Sequence, residues 1–182
     1  MSSSAVLVVV DAQNGFVRQQ SEHVIPVIAD LVEGWLEKGG DVVFTRYFNY
    51  PDSPFERFIH WTEMQRAPQT DIVSELLPYV DRATVLDKRT YSLFSPEGAA
   101  LVKERGWTDI YTCGIATESC VLKTVVDAFE YDLTPWLIED ASASHAGKTV
   151  HDAGILVAER FIGAGQIIRV ADLPASLVTA KV

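Results

Sequence analysis

Six short apolar runs rich in β-branched residues punctuate the chain: AVLVVVD (5–11), DVVFTR (41–46), ATVLDK (83–88), DIYTCG (109–114), TPWLIED (134–140) and QIIRV (166–170). Apolarity that barely alternates suits strands covered on both faces, as in a parallel sheet. Between the runs lie stretches of helical period. Val24, Ile28, Leu31, Val32, Trp35 and Leu36 share one face ahead of Gly39-Gly40, which can end a helix in the left-handed region. In SPEGAALVKERG, Ser95 is a helix cap, Pro96 fits the first turn and Gly106 closes it. Val121, Val125, Val126 and Phe129 mark a third helix, and a fourth lies within 148–163. Strand, helix, strand, repeated, predicts a three-layer α/β/α fold of Rossmann-like type around a six-stranded parallel sheet. The length of 182 residues, 48% of them hydrophobic, suits one such domain over 1–182.

Charge and composition narrow the function. A formal net charge of -10 opposes binding to nucleic acid or to anionic membrane, since no basic cluster offsets the repulsion. Two cysteines seven positions apart make no disulfide framework, and the opening MSSSAVLVVVDAQ has no basic segment ahead of its short apolar run. No apolar run approaches the ~20 residues of a membrane span. These features lead us to expect a cytoplasmic protein.

One segment breaks the alternation. YFNYPDSPFERFIHWTEMQRAP (47–68) carries three prolines and many aromatics, and long loops in compact domains are usually functional or disordered. It reads as a wall or lid over a pocket, with a short helix near 54–64, or as a surface facing another subunit.

Ligands of open parallel sheets bind beyond the carboxyl ends of the strands, where strand order reverses. Asp11, Lys88 and Asp140 end the first, third and fifth runs, and Cys120 lies just past the fourth. With Thr117 as helix cap, Cys120 falls in the first turn, where free N–H groups and the helix dipole favour a thiolate. The alternative is an inert buried thiol, which is the reading for Cys113 inside its strand. Gly114 and Ala116 let the backbone approach a ligand, so that N–H groups can converge on one spot as in an oxyanion hole. Asp11 reads as a base or as a local cap, and Lys88 as a charged partner or as a surface lysine. Together the three supply what thiol chemistry needs: a nucleophile, a base, and a cation that favours the charged forms.

The stretches VVVDAQNGFV, VLDKRTYSLF and TCGIATESCV together resemble the isochorismatase-like cysteine hydrolases, which include nicotinamidases, N-carbamoylsarcosine amidases and ureidoacrylate-type amidohydrolases. The resemblance covers nearly the whole chain and implies the strand order 3-2-1-4-5-6. It further implies Cys120 as nucleophile, Asp11 as general base and then acid, and Lys88 as their charged partner. The N–H groups of Ala116 and Cys120 would form the oxyanion hole, with a cis peptide ahead of Ala116. Gln13, Phe16, Phe48 and Tyr91 are the expected substrate contacts, and a homodimer or larger homo-oligomer is expected. Arg46, His60 and Arg66 are candidates to meet a substrate carboxylate.

Departures from the family pattern add to this. Metal-dependent nicotinamidases carry an Asp-x-His pair after the second strand, where this chain reads TRYFNYPDS; His60, alone among Asp52, Glu56 and Glu63 at arbitrary spacing, is a weak ligand set. No metal or other cofactor is expected. True isochorismatases commonly lack the cysteine, so its presence favours amide chemistry: cleavage of a C–N bond in a small amide, ureido or carbamoyl compound through a thioester. The rivals are vinyl ether hydrolysis with Cys120 as a bystander, and a non-catalytic doubly wound binding module, for which no GxGxxG or phosphate-loop pattern speaks. His145 reads as a residue at the pocket edge or, in preference, as a polar loop histidine, His23 and His151 as solvated or interface residues, and Glu118 as an acid favoured by a helix start. If catalytic, Asp11 should tolerate Asn with little loss of stability and a large loss of rate.

Overall fold

In the computed structural model, which describes residues 4–178, all six predicted strands form and lie in one parallel sheet. They are β1 (Ala5–Val10), β2 (Asp41–Tyr47), β3 (Thr84–Lys88), β4 (Asp109–Ile115), β5 (Thr134–Ala143) and β6 (Ile167–Ile168). The order is β3-β2-β1-β4-β5-β6, as the resemblance implied.

β1 explains the unbroken apolar runs. Leu7 and Val9 point to one face, against Ile28, Leu31 and Trp35 of α1 (Val24–Glu37). Val6, Val8 and Val10 point to the other, against α4 (Pro96–Arg105), α5 (Leu122–Glu130) and α6 (Lys148–Ile162) through Val102, Val125 and Ala158. All five β1 side chains are fully buried, and each buried valine or leucine contributes about 1.5–3 kcal/mol. The chain moves outward from β1 to β3, then returns to place β4 on the other side of β1. Right-handed crossovers therefore set α1 on one face and α5 on the other. The crevice between β1 and β4 opens at their carboxyl ends.

Helix boundaries follow local chemistry. The Ser95 side chain accepts from Gly98 N–H at 3.1 Å, and Gly106 ends α4 at φ 68°. In the 47–68 segment, α2 (Pro54–Ile59) is capped by Ser53 and is shorter than expected. His60 turns left-handed at φ 55°, and Trp61 N–H closes back on Phe55 C=O at 3.0 Å. A further short helix, α3 (Leu77–Val80), precedes β3.

Two strands differ from their expected bounds. β6 keeps only two residues, because Gln166 ends a 3-10 turn and the Val170 N–H is taken by the Asp140 side chain at 2.9 Å. β5 continues to Ala143 after a register shift against β4. Asp140 is consequently exposed and short of the strand end, outside the crevice. Among the described residues, no helix is long and apolar enough to cross a membrane.

Candidate active site

Asp11 leaves β1 with φ 48°, a left-handed conformation that Asp adopts more readily than most residues. Thr45 of β2 holds its carboxylate in place: the hydroxyl donates to Oδ1 at 2.6 Å and accepts from the Asp11 N–H at 3.2 Å. Lys88 Nζ donates to Oδ2 at 2.6 Å, and both side chains have 0% exposure. Lys88 ends β3, two strands from Asp11, in register with Tyr47 of β2. Its long side chain crosses β2, with Nζ 5.6 Å from the centre of the Tyr47 ring. The loop after β3 completes the ammonium's partners through the Thr90 and Tyr91 carbonyls at 3.0 and 2.8 Å. All three ammonium donors thus have an acceptor, the condition under which a buried ion pair is tolerated.

The segment leading to Cys120 starts from Gly114, whose φ of 118° and close approach to β1 both require glycine: a Cβ there would lie 2.2 Å from Val10 O. The Ile115–Ala116 peptide is cis, as the resemblance implied. Residues Thr117–Val121 then form a π turn rather than the first turn of α5. Ser119 and Val121 both donate to Ala116 C=O, at 3.0 and 3.2 Å, and the Cys120 N–H between them does not share that acceptor. Ala116 takes the capping position expected of Thr117, whose hydroxyl is engaged with His151 Nδ1 at 2.8 Å.

Cys120 is buried but borders a cavity. The charges of Lys88 and Asp11 both act on its thiol. Burial pushes the thiol above its usual range; Lys88 opposes this, and Asp11 adds to it. Desolvation therefore works against the thiolate that a helix start favours. Cys113 is likewise raised by burial and lies in the core, as expected of an inert thiol.

The cavity above Cys120 measures about 380 Å³. Phe16, Tyr47, Phe55, Trp61, Tyr91 and His145 supply its aromatic walls. Phe16 stacks on Trp61 at 5.8 Å and on His145 at 6.0 Å, and Phe55 packs on both Tyr47 and Tyr91 at 5.0 Å. Arg18 and Glu63 pair at 3.2 Å on the lining, each about half exposed. The 47–68 segment thus forms a cavity wall.

Of the expected contacts, Phe16 and Tyr91 line the cavity, while Gln13 and Phe48 do not. Gln13 is fully buried, and its amide is spent on backbone: Nε2 donates to Tyr47 O and Thr70 O at 3.1 and 2.8 Å, and Oε1 accepts from Tyr47 N–H at 2.8 Å. It braces the wall from behind. Phe48 follows inward-facing Tyr47 on extended chain and lies on another surface, where Arg46 stacks over its ring at 5.2 Å. Arg46 is itself held by Asp87 through two hydrogen bonds, at 2.7 and 2.9 Å, and His60 and Arg66 are exposed outside the lining. Arg18, overlooked in the sequence, is the cation that borders the cavity. His145 is a wall residue rather than an idle loop histidine, and His151 is half-buried and hydrogen-bonded rather than solvated. Glu118 accepts from Ser144 Oγ at 2.8 Å, a tie that a helix dipole does not explain.

Among the described residues, no group of three or more His, Cys, Asp or Glu side chains is placed to hold a metal. The acids near His60 have other partners: Glu56 accepts from Asp52 N–H and Gln65, and Glu63 from Arg18.

The chain matches the isochorismatase domain over residues 5–169. A ureidoacrylate amidohydrolase of Azorhizobium caulinodans is 30% identical over 92 residues, a stretch covering 50% of this chain and 40% of that protein. The fold is shared with nicotinamidase from Bacillus subtilis, at a TM-score of 0.80 and 21% identity over 91% of this chain and 100% of the other. N-carbamoylsarcosine amidase from Thermoplasma acidophilum superposes with a TM-score of 0.80 and 24% identity, over 94% and 98% of the two chains. With the domain match spanning nearly its whole length, the chain belongs to the isochorismatase family.

Proposed function

We propose that this protein hydrolyses the C–N bond of a small amide, ureido or carbamoyl compound through a thioester on Cys120. The observation that carries the reading is the buried Asp11–Lys88 pair, whose charges act on the Cys120 thiol beside an aromatic cavity. Asp11 takes the thiol proton as sulfur attacks the carbonyl carbon, forming the C–S bond. The oxyanion rests on the N–H groups of Ala116 and Cys120. Collapse breaks the C–N bond, and Asp11 delivers its proton to the departing nitrogen. Water then gives a proton to Asp11 and attacks the thioester; C–S cleavage releases the acid and returns that proton to sulfur. The nearby Lys88 side chain favours the ionised forms of both partners. A thiol whose ionisation burial opposes suits this sequence, because its proton then leaves as the carbonyl is attacked. The names borne by the relatives, all amidases or amidohydrolases, support the same chemistry. Vinyl ether hydrolysis gives the Cys120 thiol no task.

Ammonia or amine release from a panel of small amides, carbamoyl amino acids and nicotinamide tests the reading. Release from none of these classes overturns it. Chelation is expected to leave the activity unchanged; a loss that zinc restores would revive a metal-dependent site.

Aromatic walls suit a planar substrate, and Arg18 is placed to receive a carboxylate by leaving Glu63. Hydrogen bonds to charged groups contribute about 1.5–3 kcal/mol, so Arg18→Ala is expected to raise KM by about tenfold or more for carboxylate-bearing amides. Neutral amides should bind as before. Equal effects on both classes would remove Arg18 from substrate recognition.

A further inference from the structure

The π turn that presents Cys120 is held from outside by α6 and the end of β5. Thr117, first in the turn, is fully buried, and the ring nitrogen of His151 on α6 is the partner its hydroxyl finds, at 2.8 Å across 34 residues. One residue on, the Glu118 side chain accepts from Ser144, just past β5. Gly154, one helical turn beyond His151, packs so closely that a Cβ there would lie 2.8 Å from both Glu118 N and Glu118 Cα. A π turn carries one residue more than the α-helical spacing, and such turns recur at functional sites because they re-aim a side chain. Here the re-aimed side chain is Cys120, three residues from Thr117 and on the cavity lining.

We propose that His151 is a positioning residue for the nucleophile, fixing through the Thr117 hydroxyl the π turn that sets Cys120 against Asp11. The inference rests on Cys120 being the nucleophile. His151 is not among the residues that line the cavity, so its effect is transmitted through the backbone from 117 to 120. Burial keeps the ring below its ordinary pKa and thus neutral. The charged groups acting on it are Asp152 and Lys148 of α6, Glu139 of β5 and Glu118 of the turn. A neutral imidazole holds the hydroxyl without bringing a charge into the packing beneath the active site.

Alkylation of Cys120 by iodoacetamide, itself a small primary amide, tests this without an identified substrate. The rate is followed against pH by intact mass and assigned to Cys120 by peptide mapping. His151→Phe and Thr117→Val should each slow alkylation on the order of tenfold, since misplacement by about 1 Å costs reactivity of that order or more. The double variant should be no slower than either single one. His151→Asn, whose amide occupies the place of Nδ1, should restore most of the rate. If both single variants react at the wild-type rate or faster, with only their melting temperatures changed, His151 is a packing residue and the proposal is wrong. A wild-type Cys120 that iodoacetamide leaves unlabelled sinks the nucleophile reading together with this one, whereas failure in the variants alone sinks only the positioning role.

Discussion

Cys120→Ala is expected to lower turnover by on the order of 10⁴-fold or more, with little change in melting temperature. Removing the proposed nucleophile closes the proposed covalent route and leaves only what the proposed oxyanion site and binding would supply. The thiol contributes little to the fold beyond packing, and its loss takes a desolvated polar atom away from a buried carboxylate. Intact mass spectrometry of wild-type protein quenched during turnover should show the acyl group on Cys120, and the alanine variant should show none. Near-normal activity in the variant would falsify the thioester route and restore ether hydrolysis, in which the cysteine is a bystander.

Asp11→Asn should cost both rate and stability. An amide cannot accept the thiol proton, and loss of general acid–base catalysis lowers rates by about 10²–10⁴-fold. The sequence suggested that such a change would spare the fold. The structure argues otherwise, because Asp11 neutralises a lysine that is itself fully out of solvent. Removing one partner of a buried pair typically costs about 3–5 kcal/mol, since the other charge is left without compensation. Lys88→Met should destabilise for the same reason and slow turnover as well, because the carboxylate then loses the cation that favours its basic form. The double variant Asp11→Asn/Lys88→Met separates the two effects. It should regain much of the lost stability, since no unpaired charge remains, yet be no more active than Asp11→Asn alone. Thermal unfolding and steady-state assays of the four proteins give the comparison. An Asp11→Asn protein within a few-fold of wild-type activity would place the base elsewhere.

The strands were legible because burial on both faces writes itself into a run of consecutive residues, as β1 shows with five fully buried side chains in a row. Strand order and the location of the crevice came from resemblance and from the rule for parallel sheets. Asp11, Lys88 and Cys120 stood out because each follows such a run closely. Asp140 follows one too and misled, since the register shift in β5 that carries the strand to Ala143 leaves no local mark.

What the sequence could not specify depends on groups brought together from far apart. Arg18 meets Glu63 across 45 residues, Thr117 meets His151 across 34, and Lys88 reaches Asp11 across 77. Gln13 carries the right chemistry for substrate binding, and only the folded backbone shows that Tyr47 and Thr70 have already taken its amide. The state of Cys120 is the clearest case. Its position after a strand and ahead of a helix is a local fact, and the sequence determined it together with the sheet and the nearby acid and base. Whether the sulfur rests as thiol or thiolate depends on how much water surrounds it and which charges face it, and those are properties of the packed structure alone.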